Sequence, residues 1–498
     1  MLRPTILAGV LSLAIAGCGG DDGGEASSPL DAGLGYLPED APLVITINTD
    51  VDGEQFQALE SIARKFPFGG QLRGQLLEEL EIGGSDFEEN VEPILGNEFV
   101  VGATDVVSIV DDAEDSDFVA AIQAQDADAL ERLVEGEGAE RQGESSGADL
   151  YEDSDGDTFA IEDDVLVVAG SRELLEGALE QRESDDRLTE DIFQDGLDGL
   201  PDDALVKVYG DIGALVESDP GTEQARRVEW VAALDTFGLT AGVQEDEIAI
   251  DFNLATDGDL SDEDLPLATG GDSPGIVQRE GEVGVGVRDM DQIFQFGQAA
   301  GQAVDPSGFA DFETAKQQIS NQLDLSVDDD VFGQLQGDVS VSFNIDGDFA
   351  GRAELEDPDA FRRTLERAAP AIPGVAAGAT GGDAPRLERP AGGEGLYRLV
   401  EPGSDTIVYG VVNDVLVVSN DPGRAQELAE AEPEQVEGAE GAMVFNVNAE
   451  ALADAVLSRL AGIEAIGGRL FTGPLGNFTG SLESSTDGIR GSLTLGID

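Results

Sequence analysis

The sequence predicts an α+β protein built as two tandem duplicated domains, each a largely antiparallel sheet with helices packed on one face. Three observations carry that expectation. Strand-like and helix-like patterns alternate along the chain. Adjacent strand pairs recur, as in Asp157 to Ile161 followed by Val165 to Val168, and the order of residue types in the first half returns in the second. With 498 residues and 41% hydrophobic content, the chain can fill two or three cores.

The N-terminus reads as a lipoprotein signal peptide over residues 1–17. Arg3 supplies the positive start, Ile6 to Ile15 form an apolar stretch too short to span a bilayer, and Ala16-Gly17 are the small residues before a cleavage site. Cys18 then becomes the first mature residue and the expected site of lipid attachment, which places the protein on the outward face of the cell membrane. No later run of roughly 18 apolar residues suggests a second anchor. Residues 18–35 are acidic and rich in Gly and Ser, the composition of a flexible tether.

The first domain is expected over 36–256. It opens with a strand, Leu43 to Ile47, and a helix marked by Phe56, Leu59, Ile62, Ala63 and Phe66 before Pro67. Phe118 to Gln125 reads as a strand, followed by a helix that Asp126 caps. The same pattern returns 231 positions later, where Phe349 to Glu356 precedes Asp357 and the Pro358 helix. Asp164 to Val168 with the Ser171-capped helix returns as Asp414 to Val418 with the Asp421-capped helix, now 250 positions on.

The 19 extra residues fall between those blocks, where Ala369 to Gly395, dense in Ala, Gly and Pro, is expected as a mobile surface loop. Leu205 to Tyr209 corresponds to Met443 to Val447. The closing hairpins are Leu239 to Leu254 and Phe478 to Leu495. Residues 257–280 are expected as a linker and 281–498 as the second domain.

Composition excludes much chemistry. The chain has no histidine, and its one cysteine is assigned to lipid. Histidine bases, Ser-His-Asp and Cys-His nucleophiles, Cys/His zinc sites and disulfides are therefore ruled out. A formal charge of −79 opposes nucleic acid as a partner. No catalytic, cofactor-binding or metal-ligating residue is expected.

Leu37-Pro38-Glu-Asp40-Ala41-Pro42, Phe66-Pro67-Phe68 and Val91-Glu-Pro93-Ile-Leu95-Gly96 resemble the domain-of-unknown-function 3352 group of bacterial lipoproteins, over most of the mature chain. The resemblance implies location and duplication and lends no activity.

Asp-rich segments invite a calcium reading, but each has a plainer one. Asp153-Ser-Asp155-Gly156-Asp157 and Asn344-Ile-Asp346-Gly347-Asp348 lack EF-hand spacing and read as hairpin turns. Asn48-Thr-Asp50-Val-Asp52-Gly53 has its glycine in place but its glutamate, Glu60, one residue late, so helix capping by Asp50 or Asp52 is expected. Lys65 reads as a helix end and Trp230 as packing.

Met290 to Ala303 and the helix ending at Phe66 occupy matching places in the two halves. Each is expected to pack on its own sheet. The functional expectation is a non-catalytic binding or structural role at the cell envelope, with an envelope protein or an apolar ligand as partner. The alternatives are a carboxylate-based hydrolase assisted by a divalent cation, or a carrier or chaperone for an apolar ligand.

Overall fold

The structure is a computed structural model that describes residues 28–67, 69, 91–104, 118–136, 138–153, 156–218, 220–380, 384–389, 395–400, 406–457 and 472–498. The chain divides into two units. The first takes the described residues up to Pro220 with Leu234–Ala255 and Ile497–Asp498, and the second takes Gly221–Ala233 with Thr256–Gly496.

The first unit contains β1 (Leu43–Asn48), β2 (Glu98–Ala103), β3 (Phe118–Gln123), β4 (Glu140–Ser145), β5 (Ala148–Glu152), β6 (Thr158–Glu162), β7 (Val165–Ala169), β8 (Val206–Asp211), β9 (Leu234–Val243) and β10 (Glu247–Thr256). They bond in the order β4-β5-β6-β7-β3-β2-β1-β8-β9, all antiparallel, and β9 with β10 closes the series as a hairpin.

Strands such as Val165-Leu-Val-Val-Ala169 are apolar on both sides, and two clusters use them. Val44, Val100, Val119, Ala121 and Val167 face Leu34, Leu175, Leu179 and Phe193 from the helices Pro29–Leu34, Arg172–Arg182 and Glu190–Asp195. Ile47, Phe99, Ala120 and Ile122 pack with Val91 and Leu95, and Leu133 of the helix Ala127–Gly136 joins them. The expectation of helices on one face is therefore corrected: both faces are covered, because continuous apolar runs leave no face for water.

The second unit contains β11 (Val283–Val287), β12 (Val339–Phe343), β13 (Phe349–Glu354), β14 (Arg386–Glu388), β15 (Leu396–Val400), β16 (Ile407–Val412), β17 (Val415–Ser419), β18 (Met443–Asn448), β19 (Leu475–Ser485) and β20 (Gly488–Ile497). Their order is β14-β15-β16-β17-β13-β12-β11-β18-β19, again antiparallel, with β19–β20 as the closing hairpin. This is the order of the first unit, strand for strand.

Register agrees as well. Ile47 lies opposite Phe99, Phe99 opposite Ile122, Ile122 opposite Leu166 and Leu166 opposite Ile161. Val287, Val339, Ala353, Leu416 and Val411 form the same chain of pairs. The stacked rings of Tyr151 and Phe159 match those of Tyr397 and Tyr409. Because a slip of one residue would invert every side chain, such agreement in register means that the same faces are buried in both units.

The expected helix caps form. Asp126 accepts from Ala129 N, Ser171 from Leu174 N, Asp357 from Ala360 N and Asp421 from Gly423 N. Capping by Asp50 or Asp52 does not occur: Gly53 is the N-cap of the helix Glu54–Lys65, and Asp50 instead accepts from Asp52 N in a local turn.

Three boundaries are corrected. The expected tether ends early, since Pro29–Leu34 is a helix that buries Leu30, Ala32 and Leu34, with Ser28 as its cap. The expected linker is packed, with Leu265, Leu267, Ile276 and Val277 buried in the second unit. Ile276 bridges to Glu434 much as Pro38 bridges to Arg187 in the first unit. The expected loop from Ala369 holds the helix Ile372–Thr380 and the edge strand β14, and Ile372 and Leu387 pack against Ala369, Tyr397 and Tyr409. β14 is 246 positions after β4 while the preceding helices are 231 apart, so most of the extra length lies before β14, in the stretch that holds the helix Ile372–Thr380.

A polar cavity in the second unit

Cys18, Phe68 and Asp155 lie outside the described residues. The other Asp-rich segments form local structure. Asp153 accepts from Asp157 N at the turn joining β5 to β6, and Asn344 accepts from Asp346 N and Asp348 N at the turn joining β12 to β13, the plainer readings in both cases. Lys65 ends its helix and donates to Asp246 and to the Ile497 carbonyl. Trp230 is half-buried in the short helix Glu229–Ala232.

The two matched helices differ. Glu54–Lys65 buries Phe56, Ala58 and Ile62 as expected. Met290–Val304 buries no residue, and Phe294 stacks on Phe332 instead, so the expectation of core packing fails for the second helix.

Arg424, Arg279, Glu282 and Ser419, which the sequence did not single out, gather most of the chemistry, beside Asp421, Asn344 and Asp348, which were read only as cap and turn residues. Asp421 begins the helix Pro422–Glu430 as its cap, and one turn on Arg424 points inward, 2% exposed. Its Nη2 donates to Glu282 Oε2 at 2.9 Å and approaches the Val277 carbonyl and Ser342 Oγ, while Nη1 donates to Glu427 Oε1. The Nε–H has no partner among the described residues. Arg279 grips the same Glu427 through two nitrogens and lies 3.7 Å from Asp421. The hydrogen bond from Arg279 holds the Glu427 carboxyl below the usual carboxylate range.

This network walls a cavity of about 270 Å³ within the second unit. The β12–β13 turn closes one side through Asn344 and Asp348, whose side chains are bonded at 3.0 Å. Asn420 fixes that turn by accepting from Phe349 N and donating to the Gly347 carbonyl. Ser419 and Phe349 also line the cavity, Ser419 Oγ donating to the Phe349 carbonyl at 2.9 Å.

At several of these places the described residues of the first unit are apolar. Its N-cap Ser171 precedes Leu174 by the three residues that separate Asp421 from Arg424, and Leu174 packs against the apolar core. Ser419 ends β17 where Ala169 ends β7, and Glu282 precedes β11 where Pro42 precedes β1. Through the paired registers, Ser340 and Ser342 stand where the first unit has Val100 and Gly102. The available signal was a charged residue in one half aligned with an apolar residue in the other.

Fold and site together define a mixed helix-and-strand protein of antiparallel sheets, with an ion-paired polar cavity in its second unit. The chain belongs to the DUF3352 family: the family described as a protein of unknown function matches residues 5–353. Two described family segments play structural parts. Leu37 is buried, and the carbonyls of Pro93 and Ile94 accept from Asp126 N and Gln125 N at the start of the next helix. Gly96 has φ +120°, and a Cβ there would strike the Gln125 side chain.

Comparison with curated proteins finds no match. Among solved structures, crystal form III of TP0453 is 10% identical with a TM-score of 0.26, covering 46% of this chain and 82% of that one. Crystal form I is 12% identical with a TM-score of 0.26, covering 48% and 82%. Superpositions this poor assign neither fold nor role.

Proposed function

We propose that this is a lipid-anchored, outward-facing protein of the cell envelope, made of two duplicated α+β domains, the second of which binds a small ligand without catalysis. Duplication is supported by the shared strand order, the matched register and the paired caps. Anchoring is supported by the apolar run closing at Cys18.

One observation carries the binding role: Leu174, Pro42 and Ala169 of the first unit stand where Arg424, Glu282 and Ser419 meet around a cavity in the second. A buried ion pair is a poor way to stabilise a fold, since well-packed apolar residues do as well or better. Its place in one unit of two therefore favours a use other than stability.

Mass spectrometry of the mature N-terminus tests the address. Cys18 is expected as first residue bearing diacylglycerol, and Cys18→Ser is expected to leave the precursor uncleaved. Recovery of the native chain from cytosol with Met1 present and the thiol free would refute it. The carrier reading draws on half-exposed Phe309 and exposed Phe312 and Ile319 in the helix Pro306–Leu323. Native mass spectrometry separates the two, because a carrier purifies with bound lipid.

A further inference from the structure

We propose that the cavity receives a neutral polyhydroxylated ligand of monosaccharide size, an inference that rests on the binding role above and names its ligand class. Charge narrows the choice first. Glu280, Glu282, Asp348 and Asp421 oppose a simple anion, and Arg279 and Arg424 oppose a simple cation. A wall holding both signs at short range suits a molecule with no net charge and many hydroxyl groups.

The wall chemistry points the same way. Carboxylate, carboxamide and guanidinium groups are planar and present paired acceptors or donors, the arrangement that two neighbouring hydroxyls can meet together. Asn344, Asp348 and Asp421 are held by local hydrogen bonds, so little freedom remains to be lost on binding. Arg424 lines the cavity, and its buried Nε–H has no partner among the described residues. At about 270 Å³ the space falls just under the range of drug-sized sites and fits a single small ring.

The test is saturation-transfer NMR and calorimetry on the full chain in detergent with D-glucose, D-mannose, D-galactose and N-acetyl-D-glucosamine. Glycine, arginine and calcium chloride are run beside them. At least one sugar is expected to bind, about tenfold more weakly after Asp348→Ala, which removes a charged acceptor. Asp348 is exposed in a turn, so this variant keeps its fold, while circular dichroism checks the riskier Arg424→Leu.

No binding by any sugar, or binding indifferent to both variants, overturns the proposal. Asp348-dependent binding of glycine, arginine or calcium without sugar binding overturns the ligand class and leaves the binding role standing. Silence from every probe removes both.

Discussion

Arg424→Leu places in the second unit the residue that the first unit has at Leu174. The guanidinium it removes is 3% exposed and serves Glu282, Glu427, Ser342 and the Val277 carbonyl. Breaking a buried pair on one side costs roughly 3–5 kcal/mol, because the surviving charge stays desolvated. Glu282 is 11% exposed and keeps the Arg279 N–H at 2.8 Å, which places the expected loss near the lower end, about 3 kcal/mol.

The double variant Arg424→Leu, Glu282→Ala removes the stranded carboxylate. It is expected to recover about 1–2 kcal/mol of that loss despite carrying two changes. Trp230, the single tryptophan, belongs to the second unit, so its fluorescence during urea unfolding reports on the unit that was altered. A single variant costing less than about 1 kcal/mol would refute the reasoning, as would a double variant less stable than the single one.

Other outcomes are equally concrete. Phe56, 2% exposed, is expected to cost about 3–5 kcal/mol on truncation to Ala, whereas Phe312→Ala, at 47% exposure, should stay within about 0.5 kcal/mol in denaturant titrations. Asp357→Ala and Ser171→Ala each remove a cap worth about 1 kcal/mol, visible as faster amide exchange in the first helical turn.

Glu427 has a depressed folded pKa, so its stabilising effect is present above the ordinary value of 4.5 and is lost as pH falls through the folded one. The stability difference between wild type and Glu427→Gln should therefore shrink steadily below about pH 4.5 in Trp230-monitored unfolding, and a constant difference would exclude the Arg279 contact as its source.

Much of the architecture was legible because caps and strand runs are local. Asp126, Ser171, Asp357 and Asp421 each announce a helix by a side chain that reaches its own first turn, and spacing between such marks exposes the repetition. Legibility failed where the outcome depends on distant surroundings. Pro29–Leu34 reads as tether by composition, yet Leu30 and Leu34 find the apolar face offered by Val100 and Ala121. Ala369 to Gly395 reads as loop, yet Ile372 and Leu387 are drawn onto Tyr397 and Tyr409. In Glu54–Lys65 and Met290–Val304, similar apolar stripes end differently, one buried and one half-exposed, because a stripe records only the capacity for burial.

By itself the sequence determined membership of an α+β class, the helix starts set by caps, an order of elements that the two halves share, and the absence of histidine. These follow from composition and from contacts a few residues long. Only the tertiary structure decided that both sheet faces are covered, and that Arg424, Arg279, Glu282 and Asp348, spread over about 150 positions, meet around one cavity. An arginine in a helix is ordinary on its own; burial against a carboxylate 142 positions away gives it a chemical role.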